Sequence, residues 1–581
     1  MECERNRETQ AVSPTVAADL LLVHAPAFFD FRERGDVYFP YLSTSGDVPI
    51  TPLYEYFPVG FKSLQRFLGQ RGFDVKLLNL ASALLKYPTL DVEEVFAGLQ
   101  VSLVGIDLHW MIHCQGSLEI ARHLKRVRAD LPVIFGGISS TYYAAELIRY
   151  PFVDMVMRGY DTHEPMAALM DALKSTRDLR GIPNLLWKDP SGTVHDNGYL
   201  HKPEAFSCGI DWSTIPREQA QGSLPILEIL STQNAGCRFN CGWCGGSREA
   251  FGRIHGQPGA LPKKALSEID FELGTAKAFA SRYHFYAVGS YNESDERMAH
   301  FLERVGESSF KSVSYEQFTL TPETTLRAMA KANPRTTITL SPESHDMRVA
   351  KLAGRGVYTP EAMEAWIDRA LDCGIFQIDI WYFIGMPEQD AASVQATVQY
   401  CEKLLRRFKG KRVVPMLCPM IPLLDPASTF FEEPEKHGYR VFHRSLEEHR
   451  RASGRASLVN RINYETKWLD RKELVTVGYS AVKELTSMKG EMGLLPGGLG
   501  VGVAKKIADA LSFIEVVHRV DCIVDAAERA RELDKLATEI RTRNRAIFFS
   551  GVENQAFPVG REIGGRWFDE IPIRPKQPTL V

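Results

Sequence analysis

Three cysteines lie close together near the middle of this 581-residue chain, at Cys237, Cys241 and Cys244. The stretch around them, residues 234–246, is too rich in glycine to form a helix or a strand, and it follows an apolar run at 226–230 that is typical of a strand. Thiolates at this spacing on a loop can converge on one inorganic centre. A cubane iron–sulfur cluster usually takes four cysteine ligands, so three cysteines leave one iron free to bind a further ligand.

Two other chemistries are open to three cysteines. A structural zinc site needs four protein ligands, and the nearest His or Cys downstream is His255, in a segment (252–259) without a C-x-x-C or H-x-x-x-H partner. Disulfides need an oxidising compartment, which nothing in the sequence indicates. The spacing therefore favours an iron–sulfur cluster over both alternatives.

The cysteine loop, including the aromatic Trp243 before the third cysteine, resembles the cluster loop of the radical S-adenosylmethionine (SAM) superfamily. In that family the open iron is chelated by the amino and carboxylate groups of SAM. The resemblance implies a [4Fe-4S] cluster with Cys237, Cys241 and Cys244 as its metal ligands, and SAM as a second cofactor.

Composition limits the partners and the compartment. A hydrophobic content of 44%, a charged content of 24% and a net charge of −3 are typical of a globular protein of several domains, and they indicate no nucleic-acid partner. Residues 1–18 lack the apolar core of a signal peptide, and no stretch approaches the roughly 18 apolar residues of a membrane span. Ten cysteines fit reduced thiols plus one metal centre. We therefore predict a cytoplasmic protein with no membrane partner.

In the first third of the chain, strand-like runs alternate with helical periodicity. This alternation predicts an α/β domain, a Rossmann-like (flavodoxin-like) parallel sheet covered on both faces. The predicted strands are 19–24, 75–79, 102–107, 132–135 and 154–158. The predicted helices are 59–70, 116–128 and 142–149.

The carboxyl ends of such strands form the ligand-binding edge of the sheet. The candidate ligand-binding residues at these ends are His24, Pro26, Asp107, His109, Trp110, Gly136, Gly137 and Gly159. No G-x-G-x-x-G follows the first strand, so a dinucleotide fingerprint is absent. A generic nucleotide-binding module remains an alternative on the sheet pattern alone.

The runs 131–137 and 154–160 resemble the cobalamin-binding domain that precedes many radical SAM domains, where they read V-x-x-G-G and D-x-x-x-x-G-E; here Tyr160 replaces the acid. The resemblance implies cobalamin at the residues just named. Cobalamin mutases carry D-x-H-x-x-G with an axial histidine, but Ile112 replaces that glycine and Asp107-Leu108-His109 follows the third strand. We therefore interpret His109 as a loop residue near the corrin and expect a lower cobalt face without a protein ligand.

Residues 175–225 change in character, with a predicted hairpin (185–188 and 193–195) that we interpret as part of a linker outside the sheet. Beyond it, strand and helix signals alternate again. The predicted strands are 227–231, 284–288, 312–318, 336–340, 377–384 and 413–416. The predicted helices are 262–280, 293–307, 322–331, 360–373 and 391–408. Six β/α repeats resemble the partial barrel of the superfamily, whose chemistry lies at the strand carboxyl ends.

Further stretches resemble SAM-binding segments of the family. Glu343 and Ser344, ahead of the 354–356 Gly-Arg-Gly run, match its "E-S … R-G" segment, and Gly385 matches a turn normally beside the adenine. Helix capping before Asp346 and simple turn chemistry are the alternatives. The family's G-G-E segment is altered here, with only Gly289 kept, so SAM binding or cleavage could differ. Relatives exist in which SAM is a polar methyl donor instead of a radical source.

The last quarter is predicted to be helical and charged, with the glycine-rich run 496–502 as a helix connection near the barrel mouth. By analogy, this part closes the substrate pocket. The predicted organisation is a polar tail (1–17), a cobalamin-binding domain (18–175), a linker with a hairpin (176–222), a partial (β/α)6 radical SAM barrel (223–435) and a helical C-terminal domain (436–581).

The resemblance implies a cobalamin-dependent radical SAM methyltransferase that methylates carbon in a small molecule. By domain order and length, the tryptophan methyltransferases of thiopeptide biosynthesis suggest tryptophan as a candidate substrate. An external electron donor of flavodoxin or ferredoxin type is implied. Tyr315 and Tyr382 are candidates for lining the pocket of a planar substrate, with core packing as the alternative. A cyclase or oxidase without methyl transfer, and a non-catalytic cobalamin sensor, remain open.

Overall fold

The computed structural model describes residues 16–45, 48–50, 58–86, 88–206, 209–214, 227–259, 261–277, 283–288, 295–419, 423–495 and 498–549. Gly289, predicted to lie near SAM, falls outside these residues, as do residues 496–497 of the glycine-rich run. Among the described residues, no helix combines the length and the apolar character that crossing a membrane requires.

The amino-terminal part is one seven-stranded sheet. Its first strand, β1 (Val16–His24), is followed by a separate small hairpin of β2 (Leu42–Thr44) and β3 (Val48–Ile50). The other strands of the large sheet are β4 (Val75–Asn79), β5 (Leu99–Asp107), β6 (Val133–Gly136), β7 (Met155–Met157), β8 (Leu185–Lys188) and β9 (Val194–Asp196). The spatial order is β4-β1-β5-β6-β7-β8-β9, with β1 and β4 to β7 parallel.

Seven helices accompany these strands: α1 (Val59–Gly69), α2 (Leu80–Lys86), α3 (Val92–Ala97), α4 (Cys114–Val127), α5 (Ile138–Tyr142), α6 (Ala144–Leu147) and α7 (His163–Lys174). In β1 the residues from Leu20 to His24 are at most 1% exposed, as expected for a strand buried on both faces. The predicted doubly wound α/β domain is therefore confirmed. The single helix predicted at 142–149 is instead two short helices that meet at Tyr143.

The hairpin that the sequence placed in a linker belongs to the sheet. Strand β8 pairs antiparallel with β7, and β9 pairs antiparallel with β8. Leu185 and Leu186 are 0% and 5% exposed, so β8 carries apolar side chains on both faces and needs a sheet neighbour to bury them. The prediction that the sheet stops before this hairpin was wrong.

The middle of the chain forms a second parallel sheet. A short pair, β10 (Ala205–Phe206) and β12 (Lys263–Lys264), flanks its entry. Six strands pair in sequence order: β11 (Leu227–Thr232), β13 (Tyr283–Val288), β14 (Ser312–Gln317), β15 (Thr336–Glu343), β16 (Gln377–Ile384) and β17 (Val413–Pro419). Their helices are α8 (Arg248–His255), α9 (Leu266–Ala276), α10 (Asp295–Ser308), α11 (Glu323–Ala332), α12 (Met347–Leu352), α13 (Pro360–Asp372) and α14 (Ala391–Arg407). All six predicted strands are present.

The two faces of β16 show where the barrel lumen is. Gln377, Asp379, Trp381 and Phe383 are partly exposed, whereas the residues between them are at most 1% exposed and pack under the helices. Because Tyr382 on the buried face packs on Tyr400 of α14, the partly exposed face points away from the helices, toward the inside of the barrel. We call this inner space the lumen.

The last part of the chain is mostly helical, as predicted. It contains a two-stranded sheet, β18 (Tyr439–Val441) with β19 (Tyr464–Thr466), and the helices α15 (Thr429–Glu432), α16 (Leu446–Ser453), α17 (Leu458–Arg461), α18 (Arg471–Glu491), α19 (Leu499–Asp521) and α20 (Ala526–Phe549). Helix α18 packs on β17 and α14, where the buried Lys489 Nζ donates to Pro415 O at 2.9 Å. These helices therefore cover the last barrel strand.

Candidate functional site

The three cysteines lie in the loop between β11 and α8, at the carboxyl end of the first barrel strand. Backbone contacts with the residues that follow α12 hold this loop in place. Gly354 has φ +92° and packs so closely that a Cβ there would stand 2.1 Å from Asn240 O, and Gly242 N donates to Ala353 O at 3.0 Å. Gly354, the glycine just before the Arg355-Gly356 pair of the predicted "R-G" segment, is thus required for the close approach of the cysteine loop.

Each cysteine sulfur accepts a hydrogen bond from this chain. Phe239 N donates to Cys237 Sγ at 3.4 Å, Gly246 N donates to Cys244 Sγ at 3.4 Å, and Arg355 Nε donates to Cys241 Sγ at 2.9 Å. Burial raises the pKa of the Cys241 thiol to about 12 in the metal-free chain. Hydrogen bonds to sulfur stabilise cluster thiolates, so the donor set fits an iron–sulfur centre.

The three cysteine sulfurs do not form one compact group of ligand atoms in this structure. In the described part of the chain, one group of three potential ligands has its atoms within 4.8 Å of one another, and it is His24, Asp107 and His109 instead of the cysteines. Sulfur ligands of one tetrahedral zinc ion lie about 3.8 Å apart, given Zn–S bonds of about 2.3 Å. The three cysteine sulfurs do not all lie within 4.8 Å of one another, which is wider than the spacing around one zinc ion.

His255, the fourth ligand that a zinc site would need, is engaged elsewhere. Its Nδ1 is hydrogen-bonded to Tyr199 OH, and its ring packs on Phe251 and Tyr160. Burial lowers its pKa to about 4, and the charge of Lys202 acts in the same direction. The neutral ring is part of the core between α8 and the hairpin segment.

Glu343, which the sequence analysis proposed as a SAM-binding residue, lies against the cysteine loop. The register of β15 on β16 shifts between Leu340 and Glu343, and Glu343 has φ +70°. Its carboxylate pairs with Arg355 at 3.2 Å, accepts from Trp243 Nε1 at 3.3 Å and lies 3.8 Å from Cys241 Sγ. Burial raises the pKa of Glu343, and the Arg355 charge opposes that shift. The bulge re-aims a strand residue toward the cluster loop.

The other two described residues predicted to bind SAM have intramolecular partners. Ser344 Oγ accepts from Asp346 N at 3.1 Å, and Asp346 caps α12, so the capping alternative describes this segment. Gly385, with φ +95°, donates its N–H to Gln389 and accepts from Tyr439 OH at 2.7 Å. Both residues stay at the carboxyl ends of β15 and β16, as predicted.

Three histidines surround Asp107 at the carboxyl ends of β1 and β5. Asp107 Oδ2 accepts from His24 Nδ1 at 2.7 Å and from His109 Nδ1 at 3.0 Å, and the His113 ring lies 4.7 Å from that of His109. Burial alone would raise the pKa of Asp107, but His24 and His109 lower it well below its usual range. The Nε2 atoms of His24 and His113 and Asp107 Oδ1 are buried without a hydrogen-bond partner among the described residues. His109 is 38% exposed at its side chain and borders the ligand-binding edge.

The glycines at this edge bring neighbouring loops together. Gly137 has φ +113°, and a Cβ there would stand 2.6 Å from His109 Cα, so the loops after β5 and β6 touch. Gly136 ends β6, and Gly159 N donates to Thr141 Oγ1 at 3.0 Å. Pro26 is buried under Gly116 of α4. Tyr160, in the place of the family's acid, donates to Pro203 O.

Trp110 extends from this edge to the barrel. Its Nε1 donates to Asp425 Oδ1 at 2.8 Å, and Asp425 Oδ2 accepts from Gly245 N in the cysteine loop at 3.0 Å. Burial raises the pKa of Asp425, whereas the two donors lower it. The two predicted cofactor regions are thus joined through one carboxylate.

Tyr315 and Tyr382 do not line the lumen. Both are 0% exposed; Tyr315 packs on Phe301 of α10 and Tyr382 on Tyr400 of α14. On each strand they occupy the phase that faces the helices, which corrects the prediction that they line a substrate pocket. The lumen residues of β16 were missed, although Gln377 and Asp379 in an otherwise apolar strand signalled that face. Burial raises the pKa of Asp379 to about 7.

Arg355 and Asp425 were also missed as site residues. Arg355 lay in a segment that the resemblance singled out, but its bond to Cys241 spans 114 positions. Asp425 has no sequence signal, because its partners lie 315 and 180 positions away.

Comparison with known proteins gives this geometry a context. Residues 47–169 match the family model of the B12 binding domain. No curated protein sequence matches the chain. Among solved structures, the radical SAM methyltransferase TsrM from Kitasatospora setae with cobalamin and a [4Fe-4S] cluster has a TM-score of 0.53 at 14% identity, covering 85% of this chain and 99% of its own.

Two further structures are similar over most of the chain. TsrM with tryptophan substrate and the SAM analogue aza-SAM has a TM-score of 0.52 at 14% identity, covering 86% of this chain and 99% of its own. The cobalamin-dependent SAM radical enzyme OxsB, in its apo form, has a TM-score of 0.52 at 12% identity, covering 96% of this chain and 83% of its own. The chain therefore has the fold of cobalamin-dependent radical SAM enzymes, with a B12 binding domain at its amino-terminal end.

Proposed function

We propose that this protein is a cobalamin-dependent radical SAM methyltransferase that moves a methyl group from SAM, by way of cobalamin, to a carbon of a small molecule. The observation that carries the proposal is the cysteine loop at the end of β11, in which each sulfur accepts a hydrogen bond from the chain. The fold shared with TsrM and the match to the B12 binding domain support it.

The residues of the chain divide into three roles. Cys237, Cys241 and Cys244 would hold the [4Fe-4S] cluster, and Arg355 would balance thiolate charge while Glu343 orients the amino group of SAM. When bound, the cluster supplies an open iron for SAM and cobalamin supplies a methyl carrier. Glu343, Ser344, Gly289 and Gly385 remain our proposed SAM contacts.

The ligand-binding edge of the first sheet would hold cobalamin. His109 is partly open to this edge and is held there by its Nδ1–Asp107 Oδ2 bond at 3.0 Å. We retain the proposal that His24, Pro26, Asp107, Trp110, Gly136, Gly137 and Gly159 form the surrounding wall. His24 and Pro26 would act from below, because both are buried.

The lumen would hold the substrate. Trp381 and Phe383, near the carboxyl end of β16, offer aromatic surface to a planar molecule. TsrM was solved with tryptophan as substrate, so tryptophan is the substrate we propose to test first. An external low-potential electron donor of flavodoxin or ferredoxin type and a cytoplasmic location complete the proposal.

Anaerobic reconstitution with iron, sulfide and hydroxocobalamin, followed by a low-potential reductant, labelled SAM and tryptophan, tests this function. The reductant is needed because the cobalt of hydroxocobalamin must be reduced before it can accept a methyl group from SAM. We expect about four irons per chain, methylcobalamin, S-adenosylhomocysteine and a product heavier by one methyl group. Cys241→Ala should lose the brown absorbance and turnover, whereas Cys401→Ala, a buried cysteine of α14, should keep both.

The products decide between the alternatives. A product without the added methyl, formed with deoxyadenosine, would favour a cyclase or oxidase. Cobalamin binding by a protein that holds no iron or sulfide would favour a sensor. A Cys241→Ala variant with wild-type iron content would contradict the proposed ligand set.

A further inference from the structure

Asp425 lies between the two regions that we propose for the cofactors. Its carboxylate accepts from the indole of Trp110 at 2.8 Å through Oδ1 and from Gly245 N at 3.0 Å through Oδ2. Its backbone N–H donates to Trp243 O at 3.1 Å, so the residue is fixed on the cysteine loop by two bonds. One side chain therefore contacts both the edge of the first sheet and the loop between Cys241 and α8.

The packing leaves this carboxylate little room to move. A Cβ on Gly245 would stand 3.0 Å from Asp425 Cβ, and one on Gly242 would stand 2.3 Å from the Phe430 ring, so the segment after Asp425 lies directly on the cysteine loop. Phe430 N donates to Gly242 O at 2.8 Å. A shift of Trp110 would therefore be transmitted to the loop backbone through a rigid contact.

Other contacts between the amino-terminal domain and the carboxyl-terminal part do not extend to the cysteine loop. Tyr142 OH donates to Glu432 Oε1 at 2.6 Å, and Leu446 N donates to Glu146 Oε2 at 2.8 Å. These bonds join the same two parts of the chain, but their residues hold no described bond to the cysteine loop. Removing one of these bonds is therefore a control for the loss of an interdomain hydrogen bond that does not involve the cysteine loop.

We propose that Asp425 is a positioning residue that couples cobalamin binding at the first sheet to the state of the cluster loop, through the bond from Trp110. This inference rests on the proposed function, since it needs both cofactors. Coupling of two sites is reciprocal. The factor by which the loaded cluster changes the affinity for cobalamin is therefore the factor by which cobalamin changes the affinity for the cluster.

The test is the dissociation constant of hydroxocobalamin, measured by equilibrium dialysis of the full chain with and without its reconstituted cluster. In the wild type we expect cluster loading to change this constant at least about fivefold, the low end of known couplings. In Trp110→Phe and Asp425→Asn the ratio should fall to about one. Tyr142→Phe, which loses an interdomain bond away from the cluster loop, should keep the wild-type ratio.

A spectroscopic readout accompanies the affinities. Cobalamin should shift the electron paramagnetic resonance spectrum of the reduced cluster in the wild type and in Tyr142→Phe, and should leave it unchanged in the other two variants. Iron content and melting temperature of each variant show that the cluster and the fold are intact. Asp425→Asn keeps the side-chain shape. If it lost the coupling only because the protein was destabilised, its melting temperature would be lowered and Trp110→Phe would keep the wild-type ratio.

The outcomes separate the two proposals. A wild type that holds no cluster or binds no cobalamin refutes the proposed function, and this inference falls with it. A wild type that binds both with a ratio of one, or a Trp110→Phe protein that keeps both the wild-type ratio and the spectral shift, overturns the inference and leaves the function standing.

Discussion

Arg355 places a buried positive charge against the cysteine loop. It donates to Cys241, pairs with Glu343 at 3.2 Å and stacks on the Phe318 ring at 3.7 Å, with its side chain only 5% exposed. A planar guanidinium can make all three contacts at once, which a lysine ammonium cannot. This geometry explains why an arginine stands between a buried carboxylate and a sulfur.

A second residue, His255, makes stability depend on pH. Its pKa is lowered to about 4, so between pH 6.5 and 4 the unfolded chain binds a proton that the folded chain does not. Stability is therefore complete above pH 6.5 and falls as the pH drops through this window. The groups facing the ring include Tyr199, Tyr160 and Lys202, and none of these three can stabilise an imidazolium as a carboxylate would.

We expect His255 to cost about 2 kcal/mol of stability on going from pH 6.5 to pH 5, at about 1.4 kcal/mol per unit. His255→Phe should show a shallower fall of the melting temperature over this range. Above pH 7 the two proteins should have parallel pH profiles, which serves as the internal control. Equal slopes from pH 6.5 to 5 would show that the ring is charged in the folded protein.

At the scale of elements, strands and helices were predictable but their faces were not. The sequence predicts β16 with its observed bounds, because six of its eight residues are β-branched or aromatic. The consecutive aromatic residues Trp381, Tyr382 and Phe383 do not indicate which face of the strand is buried. The polar residues Gln377 and Asp379 do indicate it, and the choice of Tyr382 for the lumen failed because it followed the aromatic residues instead.

The hairpin of β8 and β9 illustrates a second limit. Its strands were located from local turn chemistry at 189–192, but their partner, β7, lies about thirty residues earlier and forms only three pairs with β8. Pairing at that separation depends on which sheet edge is free, and that is not a local property. The three cysteines, by contrast, lie within one loop, so the sequence alone shows that they are close to one another.

The close contact between Gly354 and the cysteine loop predicts how a substitution there changes iron binding. Gly354 and Gly410 both have left-handed backbones, at φ +92° and +80°, but a Cβ on Gly410 would meet no described atom within 4 Å. Either change to alanine should cost about 1–2 kcal/mol in backbone strain. Gly354→Ala should also displace the cysteine loop and leave less than about half of the wild-type iron after reconstitution, whereas Gly410→Ala should keep all of it. Equal iron contents would show that the loop tolerates the displacement.

At the scale of the whole molecule, the amino-terminal part is held by the last described helix. Asn544 of α20 accepts from Phe39 N at 2.9 Å and donates to Val37 O at 2.8 Å, and Phe548 packs on Phe31. Gly35 lies against Ala537, where a Cβ would stand 2.9 Å away. We call this set of contacts between segment 31–39 and α20 the clasp.

Breaking this clasp should loosen the segment without touching the cofactor regions. Asn544→Ala leaves a buried N–H and a buried carbonyl unsatisfied, and we expect a loss of about 2–4 kcal/mol with new proteolytic cleavage in 31–39. Arg545→Ala, at an exposed neighbour paired with Glu33 at 3.4 Å, should change stability by less than about 0.5 kcal/mol. Unchanged cleavage in Asn544→Ala would show that the aromatic packing holds the segment alone.

The clasp also sets the order in which the molecule can be completed during synthesis. Phe39 and Asn544 are 505 positions apart, and ribosomes add about 5–20 residues per second, so on the order of 25–100 seconds pass between the two. During that interval the nascent segment around Phe31 and Phe39 has no helix α20 to cover its rings. The rings of Phe31 and Phe39 are therefore among the last of the amino-terminal part to be covered.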